Sequence, residues 1–224
     1  MTHVLSRGRP GRCLHDERPD HGPTDEGKHR AQLLPHPPRR LTSSPFGRLV
    51  AGLSRRLYGE VPDNAHVHFH NRKVLLATVS HERRIATWDA LDPHLKIYAV
   101  MASAATIGCS WCLDFGYWTA HEDKLDLDKV REVPRWRESD AFTVLERDVM
   151  EYAEAMTATP PTVTDELSTR LRERLGTSAL VELTMMVAVE NERSRFNAAA
   201  GLSSQGFSDV CELPLAGRDA GVGR

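Results

Sequence analysis

The 224-residue sequence predicts an all-α fold, on three observations. Apolar residues recur at helical spacing from Phe46 onward, residues with capping chemistry stand at the ends of those runs, and no alternating β-branched runs with hairpin turns occur. Phe46, Leu49, Val50, Leu53 and Leu57 form one face of a helix that stops near Gly59. Asp63 or Asn64 caps a second, expected to run through Val74, Leu75 and Val79 towards Ile85 and Trp88. Asp92-Pro93 opens a helix over 93–107, which Gly108 punctuates before another carries Cys109 to about Ala120. Residues 121–140 read as solvated. Thr143 and Glu146 make a capping box for a helix to about Thr157, with Val149, Tyr152, Ala153 and Met156 inward, and Pro160-Pro161 ends it. Thr164 caps a helix that finishes at Gly176, and Ser178 starts a long one to about Ala200, ended by Gly201. On this last helix Leu180, Leu183, Thr184, Val187, Ala188, Asn191 and Phe196 make a stripe.

The first 45 residues differ in kind. They hold seven of the 13 prolines and five of the 11 histidines, without apolar periodicity. Such a stretch buries too little apolar surface to offset its ordering entropy, so residues 1–45 are expected to be a disordered tail. The helical domain spans 46–212, and 213–224 form a C-terminal tail. Lys+Arg at 29 against Asp+Glu at 31 gives a net charge of −2, which argues against nucleic acid or an anionic membrane as the main partner. No apolar run reaches the roughly 18–20 residues of a membrane span, and 4 cysteines do not make a secreted disulfide scaffold. The start lacks the apolar stretch of a secretory signal, so a cytoplasmic protein is expected.

Cys109-Ser110-Trp111-Cys112 carries the most specific chemistry in the chain. At i and i+3 on a helix two side chains share a face, so their sulfurs can reach the roughly 2 Å of a disulfide with small adjustment. Gly108 places the pair at a helix start, where unpaired amides stabilise a thiolate. A thiolate attacks peroxides and disulfides, and a second thiol one turn away resolves the product. Two other readings stand beside this one: a pair of inert core cysteines, or a zinc site. Zinc would need Cys211 and His121 as further ligands, because no second CxxC is present, so neither metal nor cofactor is expected. His66, His68 and His70 would share a face on a strand, but on a helix they splay by about 200° per step of two. Cys211 is a spare thiol or a relay to Cys109, and Cys13 lies in the tail.

The run LKIYAVMASAATIGCSWCLDFGYWTA resembles the motif region of the carboxymuconolactone decarboxylase/AhpD-like alkylhydroperoxidases, and ALVELTMMVAVENERSRFNAAAGL resembles that family's final helix, with Glu182, Asn191, Arg195, Phe196 and Asn197 in place. The resemblance covers about 60–212. It implies an AhpD-like helical bundle, assembled as a trimer or hexamer, with thiol-dependent peroxidase or disulfide-reductase activity. The substrate would be a hydroperoxide, and the reductant a small dithiol or a thioredoxin-like protein. By this resemblance Cys112 matches the cysteine that reacts with peroxide and Cys109 its disulfide partner. A helix N-terminus instead favours Cys109 as the more acidic thiol.

The pattern departs from the family where protons move. The family's histidine four residues after the second cysteine is Gly116 here, and its glutamate twelve residues before the first cysteine is Ile97. Proton transfer of this kind is worth roughly 10²–10⁴ in rate. Candidate substitutes are Asp114, Tyr98, Glu182 and His121, with Tyr117 and Glu190 also in reach, although Glu190 and Arg195 equally suit an ion pair. His121, nine residues beyond Cys112, faces away on a straight helix. The alternatives to a peroxidase are a carboxymuconolactone decarboxylase-like enzyme, using Arg195 and His121, and a non-catalytic redox-sensing helical oligomer.

Overall fold

In the computed structural model, which describes Leu41 and residues 44–208, every regular element is helical. Of the disordered tail expected over 1–45, residues 1–40, 42 and 43 lie outside the described residues, as do Cys13, Cys211 and the 213–224 tail. Leu41, by contrast, is buried, and Ser44 and Pro45 open the first helix. The helices are α1 (Pro45–Tyr58), α2 (Asp63–His68), α3 (Arg72–Ile85), α4 (Pro93–Ile107), α5 (Ser110–Glu122), α6 (Leu127–Glu132), α7 (Val144–Thr157) and α8 (Asp165–Ala199). A 3-10 turn, Val133–Glu138, follows α6. Among the described residues no helix is long and apolar enough to cross a membrane.

Helix α4 is the axis of the bundle, because apolar and small residues cover it all round. Leu95, Ile97, Tyr98, Ala99, Met101, Ala102 and Ala104 are all buried, and α5, α7 and α8 pack around them. Burying each large side chain of this kind is worth about 1.5–3 kcal/mol. The Asp92 carboxylate accepts from the His94 N–H at 2.8 Å, and Pro93 fills the first turn. At the other end Gly108 takes a left-handed conformation (φ 81°) and donates to the carbonyls of Ala104 and Ala105. The chain thereby turns from the core helix straight into α5, and the cysteine pair sits on that turn. Helix α8 bends at Gly176 (φ 78°, ψ 165°), where the sequence predicts the break.

Three expectations are corrected. On α1 the apolar stripe is not the buried face: Gly47, Ala51 and Ser54 are buried, while Leu49 and Leu53 are 69% and 47% exposed. The backbone of Leu41 crosses Gly47 so closely that a Cβ there would lie 1.7 Å from its carbonyl oxygen, and this approach selects the small-residue face. The helix expected from Asp63 to Trp88 is two helices, because the Asn71 side chain accepts from the amides of Lys73 and Val74 and starts α3 anew. Its Leu75 and Ile85 are buried, but Val74 and Val79 are exposed. The supposedly solvated 121–140 holds α6 and the 3-10 turn, which bury Val130, Val133 and Trp136 at a spacing of three. Trp136 Nε1 donates to Glu154 Oε1 of α7 at 2.7 Å, which pins the segment to the bundle.

Candidate redox site

Cys109 is the N-cap of α5, and its sulfur accepts the Cys112 amide at 3.2 Å. The two cysteines are joined in a disulfide, S–S 2.37 Å, with Cα atoms 5.3 Å apart, inside the span that a disulfide bridges without backbone movement. Helix geometry and cavity access distinguish the two sulfurs. Both cysteines pack in an aromatic cluster with Trp111, Phe115, Trp118 and Phe207, and the first-turn amide serves Cys109. Cys112 also lines a cavity of about 170 Å³ between α2, α3, α4, α5 and α8. Ile97, Val100, Phe115, Met186, Val189 and Phe196 make its wall mostly apolar.

Helix α8 supplies the polar surroundings of Cys112. The Asn197 amide nitrogen donates to its sulfur at 3.3 Å, and the Ser194 hydroxyl lies at 3.2 Å. The same hydroxyl lies 2.7 Å from Oε1 of Glu190, a cavity-lining carboxyl that is 2% exposed. Burial pushes the Glu190 carboxyl up to about 7, against the opposing pull of Arg193 and the Ser194 hydroxyl. Arg193 stands 3.5 Å from Glu190 and binds Glu82 of α3 through two nitrogens, at 2.9 and 2.6 Å. Across the cavity His68 stacks on Phe196 with ring centroids 4.3 Å apart, and burial lowers its affinity for a proton. Among the described residues no group of three or more His, Cys, Asp or Glu is placed to hold a metal.

Both departures from the family pattern fall in this cavity wall. Ile97 and Gly116 line it, and a Cβ on Gly116 would meet Met101 Cγ at 3.1 Å. Of the substitutes named from sequence, Glu190 lines the cavity, and the others are placed elsewhere. Asp114 is fully buried, and its two oxygens accept six hydrogen bonds from Ser204 to Ser208. It is an anchor for that segment. Tyr98 is packed against Phe142 in the core, with its hydroxyl held protonated by burial. Glu182 binds Lys96 Nζ at 2.5 Å and the amides of Ala90 and Leu91. His121 pairs with Glu122 at 3.5 Å near the end of α5. Tyr117 is in the core cluster. Arg195 turns to Thr157 and Thr159, so the partner of Glu190 is Arg193 and not Arg195. Sequence reasoning passed over Ser194. Its signal is a polar set, Glu190, Ser194 and Asn197, at helical spacing along a stripe that is otherwise apolar.

Residues 73–155 match the model of the carboxymuconolactone decarboxylase family. Over 124 residues the chain is 37% identical to the uncharacterized protein YnjA of Escherichia coli, an overlap of 55% of this chain and 66% of that relative, just under two thirds of its length. The fold is similar to that of the debrominase Bmp8, with a TM-score of 0.66 at 19% identity over 77% of this chain and 94% of the other. Bmp8 is also known as a cysteine-to-alanine variant in complex with 2,3,4-tribromopyrrole. ATU0492 of Agrobacterium tumefaciens, a protein of unknown function put forward as the antioxidant defence protein AhpD, has a TM-score of 0.58 at 18% identity over 62% of this chain and 94% of the other. With its helical core and its cysteine pair at the α4–α5 turn, the chain is similar to the carboxymuconolactone decarboxylase family, whose model it matches over 73–155.

Proposed function

We propose that the protein is a thiol-dependent peroxidase that cycles Cys109 and Cys112 between dithiol and disulfide. The observation that carries this reading is the asymmetry of the pair: Cys112 lines the cavity, while Cys109 caps the start of α5 and takes its first-turn amide. The Cys112 thiolate attacks the terminal oxygen of a hydroperoxide, the O–O bond breaks, and the alkoxide leaves as an alcohol after taking a proton. Cys109 then attacks the Cys112 sulfenic acid, and water departs as the disulfide forms. A small dithiol or thioredoxin-like protein supplies two electrons and two protons to restore the thiols. The amide that Cys109 receives stabilises its thiolate, which suits it to the resolving step and to leaving during reduction.

The decarboxylase-like reading has less support, because the two cations facing the cavity are already matched by carboxylates, Lys96 by Glu182 and Arg193 by Glu82. Arg195 and His121, the residues it would use, are engaged outside the cavity wall. Peroxide consumption with a dithiol donor, compared between wild type and Cys112→Ser, tests the peroxidase reading. The variant is expected to lose the thiol-dependent rate, and equal rates remove the proposal.

A further inference from the structure

We infer that Glu190 is the proton store of this site and that Ser194 is the hydroxyl through which it exchanges a proton with Cys112. The assignment rests on the peroxidase reading and names the groups that replace the proton carriers missing at Ile97 and Gly116. Ser194 has one hydroxyl proton but two neighbours, Cys112 Sγ at 3.2 Å and Glu190 Oε1 at 2.7 Å. It donates to one and accepts from the other, so both bonds exist together in two arrangements. In the first, a Cys112 thiol donates to Ser194 and Ser194 donates to the Glu190 carboxylate. In the second, a protonated Glu190 donates to Ser194 and Ser194 donates to the sulfur. Passing between them moves one proton from the thiol to the carboxyl, with no side chain leaving its place.

The step balances within the cycle. Forming the Cys112 thiolate places its proton on Glu190. Attack on the hydroperoxide gives the sulfenic acid and an alkoxide, and Glu190, which itself lines the cavity, returns the proton to that alkoxide. Cys109 brings the proton that leaves with hydroxide as water. A carboxyl that ionises near neutrality is suited to accept and return a proton at similar free energy. The charged groups facing Glu190 are Arg193 on its own helix and Glu82 from α3, and the same cavity holds His68, His81, Lys96, Asp123 and Glu192. Arg193 divides its charge between two carboxylates, so the pull on Glu190 is partial. Glu190, Ser194 and Asn197 all lie beyond the segment 73–155 that matches the family model.

The test is single-turnover oxidation of the full-length, dithiothreitol-reduced protein by cumene hydroperoxide, followed by loss of free thiols from pH 5 to 10. Wild-type rates rise with pH as Glu190 becomes able to accept the proton. Glu190→Gln and Ser194→Ala each slow the reaction by about 10²-fold near neutrality. In both, the midpoint of the rise moves up by at least about one pH unit, towards the ionisation of an unassisted thiol. The double variant is no slower than the slower single one, because the two groups act as one unit. Ser194→Thr, which keeps the hydroxyl, retains the wild-type midpoint. An unmoved midpoint in Glu190→Gln, additive losses in the double variant, or a Ser194→Thr profile like that of Ser194→Ala overturns the assignment. Thermal melts of each variant establish that the protein measured is folded. Full turnover in Cys112→Ser would remove the peroxidase reading itself, whereas a Cys112-dependent reaction with an unmoved midpoint removes only the relay.

Discussion

Asp114→Asn is a sharp probe of how the cysteine pair is covered. The wild-type carboxylate takes the Ser204 hydroxyl and the amides of Gln205, Gly206 and Phe207 on Oδ2, and the amide and hydroxyl of Ser208 on Oδ1. Asparagine keeps one oxygen and turns the other into a donor. If the oxygen stays where four donors converge, the Ser208 amide is left facing another N–H. Orphaning a buried donor costs about 1–3 kcal/mol, and four bonds that change from charged to neutral acceptors lose roughly 2–4 kcal/mol together. The loss of roughly 3–7 kcal/mol approaches the whole stability of many domains but falls on one short segment. Local undocking of 204–208 is therefore expected before global unfolding. Phe207 would leave Trp111, Phe115 and Trp118, and the aromatic cluster that holds the disulfide would open. Hydrogen exchange across 203–208 is expected to accelerate by at least about 10²-fold, with faster reduction of the disulfide by dithiothreitol. Exchange within about threefold of wild type, with an unchanged melt, would show that the six contacts do not hold the segment.

Two further outcomes follow from the buried charges. Lys96→Met leaves Glu182 without its cation and strips the Trp88 carbonyl of its donor, so it is expected to cost about 3–5 kcal/mol in urea unfolding. Lys96→Met with Glu182→Gln, which removes the unpaired charge but keeps an acceptor for the amides of Ala90 and Leu91, should recover a large part of that. A double variant as unstable as the single would count against the ion pair as the cause. Glu190 gives a pH signature in stability. Burial holds the folded carboxyl near 7, above its ordinary 4.5, so the folded state binds the proton more tightly than the unfolded chain does. Its contribution is fully present below about pH 4 and is lost as pH rises through 7, by an amount on the order of 3 kcal/mol. Glu190→Gln has no proton to lose, so its melting temperature relative to wild type should climb between pH 5 and 8. A constant difference would refute the elevated ionisation.

The bundle was legible where local chemistry decides local structure. Asp92-Pro93, Gly108, Thr143 with Glu146, and Thr164 mark helix ends through hydrogen bonds or backbone freedom that involve only near neighbours, and each end lies where those residues predict it. The face of α1 was not legible, since Leu49 and Leu53 look inward until the backbone of Leu41 is laid across Gly47. Residues 121–140 misled for a related reason: Val130, Val133 and Trp136 are spaced by three among many charges, a period set by a short helix running into a 3-10 turn. At the site, the two sulfurs were readable because i and i+3 are covalently close. The identity of the groups around Cys112 was not, because it depends on how α8 lies against α5. Glu190 was visible both as a candidate proton carrier and as a charge near Arg195, and the helix turns it to Arg193 and Ser194.

The two departures from the family pattern and the chemistry on α8 are consistent with one another. A histidine at 116 would need space that Met101 occupies, 3.1 Å from where its Cβ would stand. A glutamate at 97 would add a further carboxyl to the wall that already holds Glu82, Asp123, Glu190 and Glu192. Two acids sharing an apolar cavity raise one another's proton affinity, and with Arg193 already shared between Glu82 and Glu190 no spare cation of the α8 network would offset that. Isoleucine and glycine at these positions leave Glu190 as the cavity-lining carboxyl joined through the Ser194 hydroxyl to the Cys112 sulfur. With Glu190 as the proton store, the thiol and the proton sit on different helices, and the 3.2 Å between Ser194 and Cys112 is set by how α5 packs on α8. Proton delivery therefore depends on that packing, whereas formation of the disulfide depends only on the turn at Gly108.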